Sequence, residues 1–257
     1  FEAPKMKKQA EKEKLIENTQ GPDQQDNINY SNDDENEEYV ELNEALQQGE
    51  RLKIETARLS GSISLKGLKI DNIILKDYNE KQTEDSDLIT IFKPGNTKGG
   101  YYSNFGWINS KNQLIDLPND QTVWKSDKKI LKQNSPVKFK WTNNQNIEFE
   151  QEVSIDENFL FTIKQSVKNN SQENINLHSS AKISRTDTPK TLGYFILHEG
   201  PIGVVDNILE EFDYDELRDN IGPIEFSSKG GWFGITDKYW LSALIPDQNS
   251  TVKATYQ

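Results

Sequence analysis

The clearest strand patterns of the chain are VKFKW at residues 137–141 and IEFEQEVSI at residues 147–155. In both of them apolar and polar side chains alternate, which is the period of a β-strand with one buried and one solvated face. The residues between them, Asn143 to Asn146, are typical of a turn. If the two strands pair, the lysines of the first face the glutamates of the second across the sheet. Hydrophobicity and charge therefore predict the same hairpin.

The same alternation continues after this hairpin. Apolar side chains alternate with polar ones over residues 159–167 and again over residues 175–183. An Asn-Asn-Ser turn at residues 169–171 separates these two runs. We therefore interpret residues 137–183 as a meander of antiparallel strands, in which each strand pairs with the next along the chain.

Shorter strand-like runs precede the hairpin. They cover residues 52–59, 62–65 and 68–78. Gly61 and Gly67 lie between them, and we expect these glycines to break the strands.

Helical patterns are few. One covers residues 39–48, and a second, at residues 209–219, is so acidic that a loop is the alternative. A sheet with one apolar face needs a second layer to cover that face. Many strands and few helices therefore predict an all-β fold, a large twisted antiparallel β-sandwich with few short helices.

Charge divides the chain into two parts. The 257 residues carry a formal net charge of −12, and residues 1–50 alone hold 14 acidic and 5 basic side chains. Blocks of like charge repel one another and bury little apolar surface. We predict a disordered charged linker over residues 1–50 and a folded domain over residues 51–257. The acidic balance also argues against a nucleic-acid partner, because nucleic-acid binding depends on Lys and Arg.

Signatures of catalysis are sparse. The chain has no Cys and two His, and it contains no phosphate-binding loop, nucleophile elbow or zinc-protease motif. His198 and Glu199 are the plausible acid-base pair, but neighbouring residues of a strand point to opposite faces. His178 falls on the polar face of its strand, where a solvated imidazole is expected. We predict no catalytic residue, no cofactor and no metal.

Tryptophans offer a second possible site. A row of exposed tryptophans forms a platform on which sugars stack, whereas buried ones pack a core. Alternation places Trp141 on the apolar face, which favours core packing. The five tryptophans are Trp107, Trp124, Trp141, Trp232 and Trp240.

One segment near the end of the chain resembles a known family. The sequence SSKGGWFGITDKYWLSALIPD at residues 227–247 is similar to the periplasmic domain of the YidC family of membrane protein insertases, in its alphaproteobacterial form. Supporting similarities occur at residues 59–63, at residues 101–107 and at residues 195–203. They follow the expected order, and the resemblance covers residues 51–257.

The resemblance implies a location and a role. Members of the family are inner-membrane proteins of Gram-negative bacteria, and this domain faces the periplasm between the first two membrane spans. It is a twisted β-sandwich similar to galactose mutarotases. The whole protein inserts and helps fold membrane proteins, alone or with the Sec translocon, without nucleotide or metal. The family's substrate groove lies in later spans, so no residue can be carried over from it.

The resemblance also bears on the two ends of the chain. Family members continue with further strands beyond the motif, so we expect a sandwich truncated at its C-terminal end. The linker over residues 1–50 would then follow a first membrane span that is missing from this sequence.

The main hypothesis is a non-enzymatic interaction or scaffold domain that contacts Sec subunits and nascent membrane proteins through its parent. The partner-facing edge would be a dense acidic cluster, for which a plain solvated loop is the alternative. The rival hypothesis is a periplasmic carbohydrate-active or carbohydrate-binding module that uses His198 with an acid. The acidic cluster comprises Glu210, Glu211, Asp213, Asp215 and Glu216.

Overall fold

The computed structural model describes residues 39–83, 86–109, 113–189, 198–220 and 222–257. Residues 39–257 form one compact unit. The described helices are α1 (Leu42–Gln47) and α2 (Tyr214–Asp219). The first described strands are β1 (Arg51–Glu55), β2 (Leu59–Ser64), β3 (Lys69–Asn79), β4 (Leu88–Phe92), β5 (Tyr101–Asn109), β6 (Lys125–Ser126), β7 (Ile130–Leu131), β8 (Val137–Thr142) and β9 (Ile147–Ile155). The later ones are β10 (Phe161–Asn169), β11 (Leu177–Arg185), β12 (Gly200–Val205), β13 (Ile208–Glu211), β14 (Ile224–Lys229), β15 (Trp232–Thr236), β16 (Leu241–Leu244) and β17 (Thr251–Tyr256).

Two sheets enclose the main core. A seven-stranded sheet has the order β11-β5-β3-β2-β1-β7, with β4 beside β3, and a four-stranded sheet has the order β10-β9-β8-β6. Their apolar faces supply one cluster of buried side chains, with Ile54 of β1 and Phe139 of β8 both fully buried. This arrangement confirms the predicted all-β sandwich.

The hairpin predicted over residues 137–155 forms in the structure. In β8 and β9 Lys138 lies opposite Glu152, and Lys140 lies opposite Glu150. The ammonium of Lys138 is 3.1 Å from a carboxylate oxygen of Glu150, and that of Lys140 is 3.2 Å from one of Glu148. Hydrogen bonds from Lys140 and Lys138 hold the pKa of Glu150 below its usual value. One face of the hairpin is therefore a ladder of charges and the other is core.

The predicted meander ends at β10. Strand β10 pairs with β9, but β11 pairs with β5 in the other sheet, with Leu177 opposite Asn109. The connection crosses between the sheets and is held there by Gln113, whose side-chain amide donates to the carbonyl of Asn174 at 2.8 Å. The prediction was wrong because alternation identifies the buried face of a strand but does not identify its neighbour.

Gly61 lies inside β2 and does not break it. Its φ is +146°, and a Cβ built there would lie 1.9 Å from the carbonyl oxygen of Asn72 on β3. The break falls earlier, where the hydroxyl of Thr56 accepts the backbone N–H of Leu59 at 2.9 Å. Gly67 does lie between two strands, β2 and β3, as expected.

Both predicted helical segments contain a helix. Helix α1 lies within the predicted residues 39–48, and Ala45 on it is buried. The backbone N–H of Val40 donates to the carbonyl of Asn96 at 2.9 Å, so residues 39–50 of the predicted linker belong to the described fold. Residues 1–38 lie outside the described residues. In the second segment only Tyr214–Asp219 is helical, because Ile208–Glu211 forms strand β13 instead.

The last strands form a smaller layer. A third sheet has the order β13-β12-β15-β16, and β14 pairs with β17 beside it. Tyr256 joins the two pieces, since its ring lies near Phe212 and Phe233 and its hydroxyl donates to the carbonyl of Ile202 at 2.8 Å. This layer carries the predicted acidic cluster.

Candidate partner interface

Strand β13 stands at the edge of the third sheet. It pairs on one side with β12, where Glu210 lies opposite Gly203 and Glu211 opposite Ile202. No described strand pairs with its other side. Neither glutamate makes an ion pair with a described residue. An edge strand with unpaired backbone groups is a ready surface for another chain.

The remaining acidic residues begin helix α2. The backbone N–H of Asp213 donates to a carboxylate oxygen of Glu216 at 3.2 Å, which closes the first turn. Asp215 forms an ion pair with Arg218 one turn later. The five predicted residues therefore lie on two adjoining elements, and three of them also serve the local structure of the helix.

Apolar side chains accompany the acidic ones. Ile208 and Leu209 on β13 are 61% and 50% exposed. Exposed aliphatic residues beside a charged rim are a feature of protein interaction surfaces. Sequence reasoning missed both residues, because it assigned Leu209 to a helix or loop and not to an edge strand. We call Ile208–Glu211 together with Asp213, Asp215 and Glu216 the acidic edge.

Arg185 anchors the acidic edge to the main sandwich. Its guanidinium donates to a carboxylate oxygen of Asp237 at 2.7 Å and to the hydroxyl of Tyr214 at 3.4 Å. It also lies 4.8 Å from the ring centre of Tyr101 on β5. Burial raises the pKa of Tyr214, the first residue of α2. A single side chain on β11 thus connects both layers.

The predicted acid-base pair, His198 and Glu199, lies just before the first residue of β12. The imidazole Nε2 of His198 is 3.0 Å from the carbonyl oxygen of Pro201, so the ring is engaged with the local backbone. Residues 195–197, which the sequence placed before this pair, lie outside the described residues. His178 is exposed on β11, as expected for a solvated imidazole.

Two of the five tryptophans are core residues. Trp107 and Trp124 are buried, and their ring centres stack 6.2 Å apart. Trp141 packs against the core beside Phe149, and Trp240 lies edge-on to Tyr78 at 5.0 Å. Trp232 is half-buried on β15. Core packing, and not a sugar platform, accounts for Trp107 and Trp124.

A groove of about 350 Å³ opens between β5 and the segment that follows Pro118. Trp107 and Trp124 line it, together with Asn104, Asp120 and others. The side-chain oxygen of Asn104 is buried without a hydrogen-bond partner. No sequence pattern indicated this groove, since its walls are distant along the chain and meet only in the folded structure.

Two further features bear on function. In the part of the chain that the structure describes, no group of His, Asp or Glu side chains has the arrangement of a metal site. Among the described helices, none has the length and apolarity needed to span a bilayer.

Fold and surface together define an all-β sandwich domain with an exposed acidic edge. A family model described as the YidC periplasmic domain matches residues 51–257. Membrane protein insertase YidC of Rickettsia bellii is 41% identical over 209 residues, which is 81% of this chain and 37% of that protein. The chain is also 41% identical to the protein of that name from Rickettsia felis, over 80% of this chain and 37% of the relative. The chain therefore belongs to the YidC periplasmic domain family.

Family membership fixes the location of this segment. It lies on the periplasmic side of an inner-membrane protein. The chain spans about 37% of the length of the relatives that it matches.

Proposed function

We propose that this chain is a docking domain of a larger parent protein. The parent protein is a membrane protein insertase, which inserts and helps fold inner-membrane proteins. The observation that carries the proposal is the family match over residues 51–257. The relatives are named membrane protein insertases. In this proposal the domain binds partners, including Sec translocon subunits and nascent membrane proteins, and catalyses no reaction itself.

The acidic edge is the proposed contact surface. Glu210 and Glu211 have no ion pair within the described residues, so their charges are available to a basic partner. Complementary charge at such a rim mainly accelerates and orients association. Ile208 and Leu209 beside them supply apolar area that a partner can cover. The side of β13 that pairs with no described strand allows a partner strand to extend the sheet.

The test uses the full-length parent protein in inner-membrane vesicles. A photo-crosslinking side chain replaces Leu209, and crosslinks to Sec subunits and to a nascent membrane protein are measured. We expect crosslinks in the wild-type background and at least a fivefold loss of them when Glu210→Lys and Glu211→Lys are combined.

A matched control introduces the same change in charge at two other exposed positions. Glu157 and Glu173 are exposed on other loops of the domain, and Glu157→Lys with Glu173→Lys should leave the crosslinks unchanged. Unaltered crosslinking and co-purification in the Glu210→Lys, Glu211→Lys variant would remove the acidic edge from the proposal. If a parent protein that lacks residues 51–257 still inserts membrane proteins normally, the domain has no part in insertion itself.

A further inference from the structure

A second charged surface has the opposite sign. Residues 125–140 contain six lysines and one aspartate, a formal net charge of +5 in a chain whose total is −12. All six lysines are exposed. They are Lys125, Lys128, Lys129, Lys132, Lys138 and Lys140, which we call the basic margin.

The fold gathers these lysines at one margin of the sandwich. Strand β6 is the last strand of the four-stranded sheet and β7 the last of the seven-stranded sheet, and both lie in this segment. Lys125 lies directly opposite Lys140 across β6 and β8. Lys129 precedes β7, and its carbonyl accepts the backbone N–H of Lys53 at 3.1 Å. The basic margin therefore covers the edges of both sheets.

Internal pairing does not account for all of these charges. Lys138 and Lys140 are bound by the glutamates of β9, and Lys128 donates to the carbonyl of Pro136 at 2.6 Å. Among the described residues, Lys125, Lys129 and Lys132 have no ion-pair partner. Lys140, which lies opposite Lys125, is already paired with two glutamates of β9. The three lysines without an ion-pair partner among the described residues are therefore the ones that an external anion can bind.

The chemistry of the basic margin fits a lipid surface better than a protein. It contains lysine and no arginine, whereas protein interfaces are enriched in Arg and depleted in Lys. Two aliphatic side chains stand among the lysines, Val123 at 60% and Ile130 at 37% exposure. Lysine ammonium groups attract the phosphates of anionic headgroups, and small exposed aliphatic side chains can enter the headgroup region.

We propose that the basic margin docks this domain onto the anionic phospholipid surface of the membrane that holds its parent protein. Attachment to the membrane keeps the domain close to that surface, so a weak contact suffices to set its orientation. This inference concerns lipid and not protein partners, and so it can fail while the proposed function stands.

The test measures co-flotation of the 257-residue chain with vesicles at low ionic strength. One set contains equal parts of phosphatidylglycerol and phosphatidylcholine, and the other contains phosphatidylcholine alone. We expect the wild type to float with the first set only and to be released by added salt. Each lysine near an anionic surface contributes about a fivefold gain in partitioning. Combining Lys125→Gln, Lys129→Gln and Lys132→Gln should therefore lower partitioning about 100-fold.

Two controls test whether binding depends on positive charge at these positions, and not on folding or on the net charge of the whole chain. The same three positions changed to Arg keep the charge and should keep the binding. Lys98→Gln, Lys229→Gln and Lys253→Gln remove three exposed lysines elsewhere and should leave flotation unchanged. Equal recovery of the wild type with both vesicle sets would overturn the proposal, because binding would then not depend on anionic lipid. Equal losses in the Gln variants of both triplets would overturn it as well.

Discussion

The connection that Arg185 makes between the two layers can be tested quantitatively. Arg185→Met keeps an unbranched apolar stem beside Tyr101 but removes the charge and both hydrogen bonds. Removing one partner of a buried ion pair costs about 3 to 5 kcal/mol, whereas an exposed pair contributes about 0 to 1 kcal/mol. The side chains of Arg185 and Asp237 are 17% and 30% exposed, between these limits. We expect the free energy of unfolding of the variant to be about 2 to 3 kcal/mol lower than that of the wild type.

A double-mutant cycle identifies how much of this loss belongs to the pair. Asp237→Asn removes the carboxylate charge but keeps the backbone N–H of residue 237, which donates to the carbonyl of Trp240 at 2.8 Å. The double variant should be more stable than the sum of the two single losses predicts, by about 1 to 2 kcal/mol. Urea unfolding followed by tryptophan fluorescence measures all four proteins.

Hydrogen exchange tests the consequence for the acidic edge. Without Arg185 the hydroxyl of Tyr214 loses its link to the main sandwich, so amides of residues 208–219 should exchange faster. Amides of β8 and β9 serve as the internal reference, because these strands belong to the four-stranded sheet, whereas Arg185 lies on β11 of the seven-stranded sheet. Additive single losses, or uniform exchange across both regions, would refute the idea that Arg185 anchors the edge.

Two other predictions concern the main sandwich. Gly61→Ala should lower the free energy of unfolding by about 3 kcal/mol or more, because its Cβ would lie 1.9 Å from the carbonyl oxygen of Asn72. Ser60→Ala is the neighbouring control. Equal urea midpoints for the two variants would contradict this prediction. Burial raises the pKa of Tyr101 from 10.0 to about 12. The stability that comes from keeping Tyr101 protonated is therefore complete below pH 10 and is lost as the pH rises towards 12. The free energy of unfolding falls by about 2 to 3 kcal/mol over this range. Urea unfolding measured from pH 10 to pH 12 should show a smaller loss of stability for Tyr101→Phe than for the wild type. Parallel plots of the free energy of unfolding against pH for the two proteins would argue against this prediction.

The fold was more predictable than the interface because strand alternation is a local property. Lys138 and Glu152 could be paired from the sequence, since a short turn joins their strands and charge agrees with burial. The partner of β11 could not be predicted in this way, because β5 lies about 70 residues earlier and the alternation of both strands is compatible with several neighbours. The same limit hid the edge position of β13, and with it Ile208 and Leu209.

The motif that revealed the family is mainly structural. Gly231, within residues 227–247, has a φ of +82°, and a Cβ there would lie 2.1 Å from the carbonyl oxygen of Val204. The residue is therefore required by the close approach of the chain to β12, whatever partner the domain binds. Backbone constraints of this kind produce a specific sequence signature, whereas a charged docking surface can be built from many sequences. Family membership was thus readable from the sequence, while the acidic edge and the basic margin must be tested by charge substitution.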